Sequence, residues 1–134
     1  MNFASLRIIT DNVPGLTQFY HRVLGIKPNA YTEDYVELET PSCTLAIGSS
    51  RSMVLYGAGA ARPASNQTAI LEFRVEDVDK EFERLAGVVK EFELKPTTQP
   101  WGNRSMLFRD PDGNLINFFA PMRETMVTGP LIPR

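Results

Sequence analysis

Few side chains in this 134-residue chain could carry covalent or metal chemistry, and each has a plainer reading beside it. There is one histidine, His21, and one cysteine, Cys43. A cysteine nucleophile works as a thiolate and needs a base close by. Cys43 lies in Ser-Cys-Thr-Leu-Ala-Ile, a strand-like run with no base in it, and reads as a small buried apolar residue. One thiol also excludes an internal disulfide and any zinc site built from several thiolates. His21 could ligate a metal or move a proton. It adjoins Arg22 on the outer face of a predicted helix, where a solvated surface residue is the simple reading. Trp101, the single tryptophan, follows Pro100 in a predicted loop. It either stacks on a flat ligand or anchors the loop over the core. Tyr31, Tyr35, Met53, Tyr56 and Met106 together suit an adaptable apolar pocket, although each taken alone reads as core or rim packing.

Apolar residues make up 43% of the chain and charged residues 22%, enough of both to form a core and a solvated surface. The net charge is −2 and the arginines are dispersed, so electrostatic capture of nucleic acid or of an anionic membrane is not expected. The N-terminus turns polar within a few residues, which predicts no signal peptide. No apolar run approaches membrane-spanning length, and a cytoplasmic protein is expected.

The elements that must position these residues follow from patterning. Residues 3–10 alternate as a strand. Asp11 or Asn12 can cap a helix with Pro14 in its first turn, Leu16, Phe19, Tyr20, Val23 and Leu24 on one face, and Gly25 as its stop. Strands are predicted at about 26–31, 35–39 and 43–48. Residues 56–66, rich in Gly, Ala and Pro, read as a linker. The order then recurs: a strand over 68–75, a helix opened by Glu76-Asp77-Val78 and ended by Gly87, and strands near 88–94, 104–109 and 115–120. The prediction is one α+β domain over 1–120. It comprises module one (about 1–55), the linker and module two (about 67–120), followed by a C-terminal tail, 121–134. Each βαβββ module can cover only one sheet face with its helix. Two such modules side by side would form a curved mixed sheet around a cleft, where ligands tend to bind.

Three stretches resemble the glyoxalase/bleomycin resistance/extradiol dioxygenase superfamily, also called the vicinal oxygen chelate fold. They are Arg109-Asp110-Pro111-Asp112-Gly113-Asn114-Leu115-Ile116, Phe19-Tyr20-His21-Arg22-Val23-Leu24-Gly25 and Gln99-Pro100-Trp101-Gly102-Asn103-Arg104. The first is a turn by its chemistry: Pro fixes φ, Asp and Asn bond their own backbone, and Gly supplies positive φ. It marks the fold without carrying a reaction.

The resemblance implies a divalent metal held by His, Glu or Gln from the first and last strand of each module. The opening-strand ligand, seven residues before the helix start at Asn12, corresponds to Ser5. The same count back from Asp77 reaches Ile70, and the glutamate that often follows Asn-Leu-Ile is Asn117. The fourth position falls among Leu45, Ala46 and Ile47. No metal and no other cofactor is therefore expected, with Glu72 and Glu37 as the alternative oxygen donors.

Strand alternation then sorts the faces. If Asn117 faces the cleft, so do Leu115 and Phe119, with Ile116 and Phe118 on the helix side. Ser5, Arg7 and Ile9 face inward on the first strand, and Ile70, Glu72 and Arg74 on the fifth. Arg7, Glu72 and Arg74 read either as a charge-compensated network or as polar lining. The expected ligand-binding set is thus Arg7, Tyr35, Met53, Glu72, Arg74, Trp101, Met106, Asn117 and Phe119, and no catalytic residue is assigned. By resemblance, the loop bearing Trp101 lies near the ligand cleft in bleomycin-resistance-like relatives. The expected function is metal-free binding or sequestration of an apolar or aromatic small molecule, such as an antibiotic, by a homodimer. A metal-dependent lyase, isomerase or dioxygenase with an atypical site is the alternative, and a vestigial cleft with a functional dimer surface is a third.

Overall fold

The computed structural model describes residues 1–57 and 59–121. The first half runs β1 (Ser5–Thr10), α1 (Val13–Leu24), β2 (Asn29–Thr32), β3 (Tyr35–Glu39) and β4 (Thr44–Ser49), and a 3-10 segment, Ser50–Leu55, follows. The second half runs β5 (Ile70–Arg74), α2 (Val78–Arg84), a 3-10 turn Leu85–Gly87, β6 (Phe92–Thr98), β7 (Asn103–Arg109) and β8 (Leu115–Pro121). The sheets are ordered β1-β4-β3-β2 and β5-β8-β7-β6. In each, the first strand pairs in parallel with the last and the other pairings are antiparallel. The duplicated βαβββ order expected from the sequence is therefore present.

The local causes are the anticipated ones. The Asn12 side-chain oxygen accepts the Gly15 N–H at 3.0 Å, and the Asp77 carboxylate accepts that of Lys80 at 3.1 Å. Each cap answers an N–H that the first helical turn cannot satisfy. Gly25 ends α1 at φ 68°, a left-handed conformation open to glycine, and returns its N–H to the His21 carbonyl.

Two expectations need correction. The strand placed at 88–94 lies at Phe92–Thr98 instead. Val88 and Val89 give their N–H groups to the Leu85 carbonyl, closing the helical end, and Val89 is buried there. Pro96 is tolerated in β6 because this is an edge strand whose register shifts between Leu94 and Thr97. The strand predicted at about 26–31 likewise begins later, at Asn29–Thr32. After β4 the chain forms the 3-10 segment Ser50–Leu55, capped by Ser49, whose side-chain oxygen accepts the Ser52 N–H at 3.1 Å. The tail beyond Pro121 lies outside the described residues.

The chain divides into two compact units. One comprises residues 1–67 together with Asp110–Gly113, the other residues 68–109 and the chain from Asn114. In the first, Leu16, Tyr20 and Val23 of α1 are buried along with Val36, Leu38, Leu45 and Ile47 of the sheet. In the second, an edge-to-face chain of rings fills the core: Phe73–Phe118, Phe118–Phe108, Phe108–Phe92 and Phe92–Phe82, at centroid separations of 5.8, 5.3, 5.7 and 4.9 Å. Arg104 of β7 holds Asp79 of α2 with two hydrogen bonds, 2.7 and 2.9 Å. The guanidinium keeps the Asp79 carboxyl below its ordinary range.

The loop 110–113 explains itself as a turn. Asp110 accepts the Asp112 N–H at 2.9 Å, and Gly113 takes φ 88°. It also does more: Asp110 accepts the hydroxyl of the fully buried Tyr20 at 2.7 Å. The two motifs singled out in the sequence thus meet in one buried hydrogen bond. Burial first, and then the Asp110 charge, hold the Tyr20 phenol well above its ordinary 10.0. The fold favours the neutral phenol, so this contribution is complete below pH 10 and is lost as pH rises beyond it. Above pH 10, unfolding free energy should fall by about 1.4 kcal/mol per pH unit from this group. Urea melts at pH 9 to 11 should show that slope reduced in Tyr20→Phe, which should also cost about 1.5–3 kcal/mol at pH 7. Equal slopes in the two proteins would refute the assignment.

Candidate functional site

On each sheet the face away from the helix carries the polar and aromatic groups. In the first unit, Arg7 of β1 lies beside Ala46 of β4, which lies beside Glu37 of β3. One step along, Ile9, Gly48 and Tyr35 form the neighbouring row. Two inter-strand spacings separate β1 from β3, about 10 Å. Arg7 spans that distance because the intervening β4 residues are small. A Cβ built on Gly48 would stand 3.6 Å from the Arg7 Cδ and 3.3 Å from the Ile9 Cδ1. The guanidinium carbon reaches 5.3 Å from the Tyr35 ring centroid and 5.4 Å from that of Tyr56, within cation–π range of both.

Tyr56, chiefly by hydrogen bonding, raises the Arg7 pKa further, so the cation is permanent. Among the described residues, no carboxylate lies within ion-pair distance of it. Glu37 accepts the Tyr35 hydroxyl at 2.6 Å. The Tyr31 ring lies 6.1 Å from that of Tyr35. Glu37 raises both phenols: Tyr35 mainly through the hydrogen bond, Tyr31 mainly through charge.

In the second unit, Glu72 lies beside Asn117, and Arg74 beside Phe119. The Asn117 amide donates to Glu72 at 2.9 Å, leaving its own oxygen buried with no partner among the described residues. Arg74 forms no ion pair among the described residues. Within the second unit, Glu72 is thus held by the Asn117 amide and not by Arg74. Trp101 sits on the tight turn between β6 and β7, closed by Gln99 N–H to Asn103 carbonyl (2.7 Å), and is 40% exposed.

Other expected positions separate. Phe119 is half-buried on the open face, and Ile116 and Phe118 are buried on the helix side as alternation required. Met53 is half-buried in the 3-10 segment. Met106 pairs with Phe118 in register and is fully buried, so it belongs to the core and not to an accessible lining. His21 is half-buried rather than freely solvated, with Nδ1 2.9 Å from the Ile26 carbonyl. Tyr56, a pocket candidate at the start of the predicted linker, is one of the two rings on Arg7.

The duplication settles the uncertain fourth metal position. Ser5 and Ile70 are equivalent, each seven residues before a verified cap. Asn117 faces Glu72, two residues beyond Ile70, so its counterpart on β4 is the residue facing Arg7, which is Ala46. The four positions are thus Ser5, Ala46, Ile70 and Asn117. Two carry no donor atom, and the Asn117 amide is turned with its nitrogen on Glu72. Such a set does not fit a divalent cation, which takes several nitrogen or oxygen donors.

Comparisons with known proteins bear on the same chain. The family model described as Glyoxalase/Bleomycin resistance protein/Dioxygenase superfamily matches residues 2–118. The uncharacterized protein YraH of Bacillus subtilis (strain 168) is 28% identical over 126 residues, covering 89% of this chain and 98% of that protein. A glyoxalase/bleomycin resistance protein/dioxygenase from Nocardioides superposes with a TM-score of 0.77 at 24% identity, over 98% of this chain and 89% of that one. A glyoxalase/bleomycin resistance protein/dioxygenase family enzyme from Burkholderia phytofirmans PsJN gives 0.81 at 16% identity, over 90% and 99%. At these identities the two structures speak to the fold alone.

The Glu37 contacts give a direct check. In a spectrophotometric titration of the folded protein, Glu37→Gln should lower the midpoints of two tyrosines, Tyr31 and Tyr35, toward 10. Titration curves that superimpose on the parent's would contradict the placement of Glu37.

Proposed function

Because the chain belongs to the glyoxalase/bleomycin resistance/dioxygenase superfamily, we propose that it is a metal-free member that binds a planar, largely apolar or aromatic small molecule. Sequestration of an antibiotic is one such role. The observation that carries this reading is Ala46 and Ile70 at two of the four positions where the family's metal donors stand. A reaction centred on a metal needs those donors. Binding by shape and stacking needs only apolar and aromatic surface, and the first unit supplies it through Tyr31, Tyr35 and Tyr56.

Two measurements test the reading. Metal analysis of the purified protein should find far less than one equivalent, and Zn²⁺, Ni²⁺, Mn²⁺ or Fe²⁺ should not raise Tm. Stoichiometric metal would overturn it. A panel of planar aromatic compounds, followed by thermal shift with Trp101 emission recorded alongside, should yield saturable stabilisation, about 2.7 kcal/mol at roughly a hundred-fold excess over Kd. A folded protein that no member of the panel stabilises would count against binding as the function.

A further inference from the structure

The open face of the first unit holds a cation in an unusual setting. Arg7 is exposed, lies across a β4 floor of Ala46 and Gly48, and has the rings of Tyr35 and Tyr56 against it. Surface arginines commonly settle beside a carboxylate, as Arg51, Arg84, Arg104 and Arg109 do in this chain. Arg7 does not, among the described residues. A guanidinium carries five N–H donors in one plane. Cation–π contact with the two rings does not use up those donors, so N–H groups remain for a ligand oxyanion.

We propose that Arg7 is the electropositive anchor of the ligand site, receiving the carboxylate of a planar aromatic acid whose ring lies against the tyrosines. The proposal rests on the reading of this chain as a binding protein and adds the ligand's chemical class. Two of the family positions that would hold a divalent cation, Ala46 and Ile70, carry no donor, and Arg7, the neighbour of Ala46 across the β1–β4 pairing, is a fixed monocation. An oxyanion that a metal would attract is attracted here by the guanidinium, bidentately and with defined direction. The rings stiffen the arginine before any ligand arrives, which lowers the entropic cost of binding. Tyr31 and Tyr56, 60% and 63% exposed, extend the aromatic surface beyond the anchor. Glu37 and Glu39 are the carboxylates of β3 on this face, and Glu37 is the nearer of the two to Arg7. It stands two strands away across Ala46 with the Tyr35 hydroxyl on it, and its repulsion favours an acid that approaches from the β1 side.

The test compares 2-naphthoate with its neutral amide, 2-naphthamide, by isothermal titration calorimetry on the full chain. The acid should bind on the order of ten- to a hundred-fold more tightly than the amide. Arg7→Met should remove that preference, so that acid and amide bind equally, and Arg7→Lys should restore only part of it. In ¹⁵N spectra the Arg7 Nε–H resonance should move with the acid. Equal affinity for acid and amide overturns the anchor while leaving the binding reading intact. So does full acid affinity in Arg7→Met. Failure of both compounds to bind overturns the anchor as well. Whether the binding reading then falls is decided separately by the metal analysis and the wider panel. Ala46→Leu gives an independent check: a leucine on the floor should displace Arg7 from Tyr35 and weaken the acid to the level of Arg7→Met. Unchanged acid affinity in that variant would also refute the arrangement.

Discussion

In both halves the first strand lies parallel to the last, and nearly everything of interest depends on that pairing. A tight turn can join antiparallel strands but not parallel ones. The chain must therefore leave the first strand through a helix, lay down two antiparallel strands and return. Residues about forty positions apart then become lateral neighbours: Arg7 beside Ala46, Glu72 beside Asn117. The helix covers one face of the sheet, so every second residue on the first and last strands is left for the other. The site residues are those alternates. Their chemistry comes from side chains, but their company is chosen by the pairing.

That company also explains the arginine. A long cationic side chain at a sheet edge ordinarily extends into water or finds an acid. Here the small residues on β4 let it lie flat and reach β3. The same two positions thus have two consequences. Ala46 removes a donor, and Ala46 with Gly48 opens the path along which Arg7 travels.

Local chemistry was legible in the sequence wherever a residue acts on its own backbone. Gly25 and the Asp110–Gly113 turn are legible, and the helix starts narrow to Asp11 or Asn12 and to Glu76-Asp77-Val78, because capping and positive φ are properties of a residue and its immediate neighbours. Alternation placed Ile116 and Phe118 on the helix side for the same reason. What could not be read was register. Val88 and Val89 have strand-like side chains yet close a helical end, since the nearby Leu85 carbonyl offers their N–H groups partners. Met106 has the composition of a pocket residue, and only its pairing with Phe118 shows that it belongs to the core. Ala46 became identifiable only when the register of the second sheet could be transferred to the first. Tyr56 stands ten residues past Ala46, and no periodic signal connects it to Arg7.

The loop 110–113 belongs to the first compact unit although it is reached only after most of the second has been passed. Tyr20 and its carboxylate partner are separated by 90 residues. During synthesis, when N-terminal segments emerge first, α1 and its sheet are complete long before Asp110 exists. Through that interval the phenol at the centre of the first core has no acceptor from this loop. The first half of the chain is therefore made early and finished late, and a hydrogen bond at the centre of its core waits on a turn 90 residues further on.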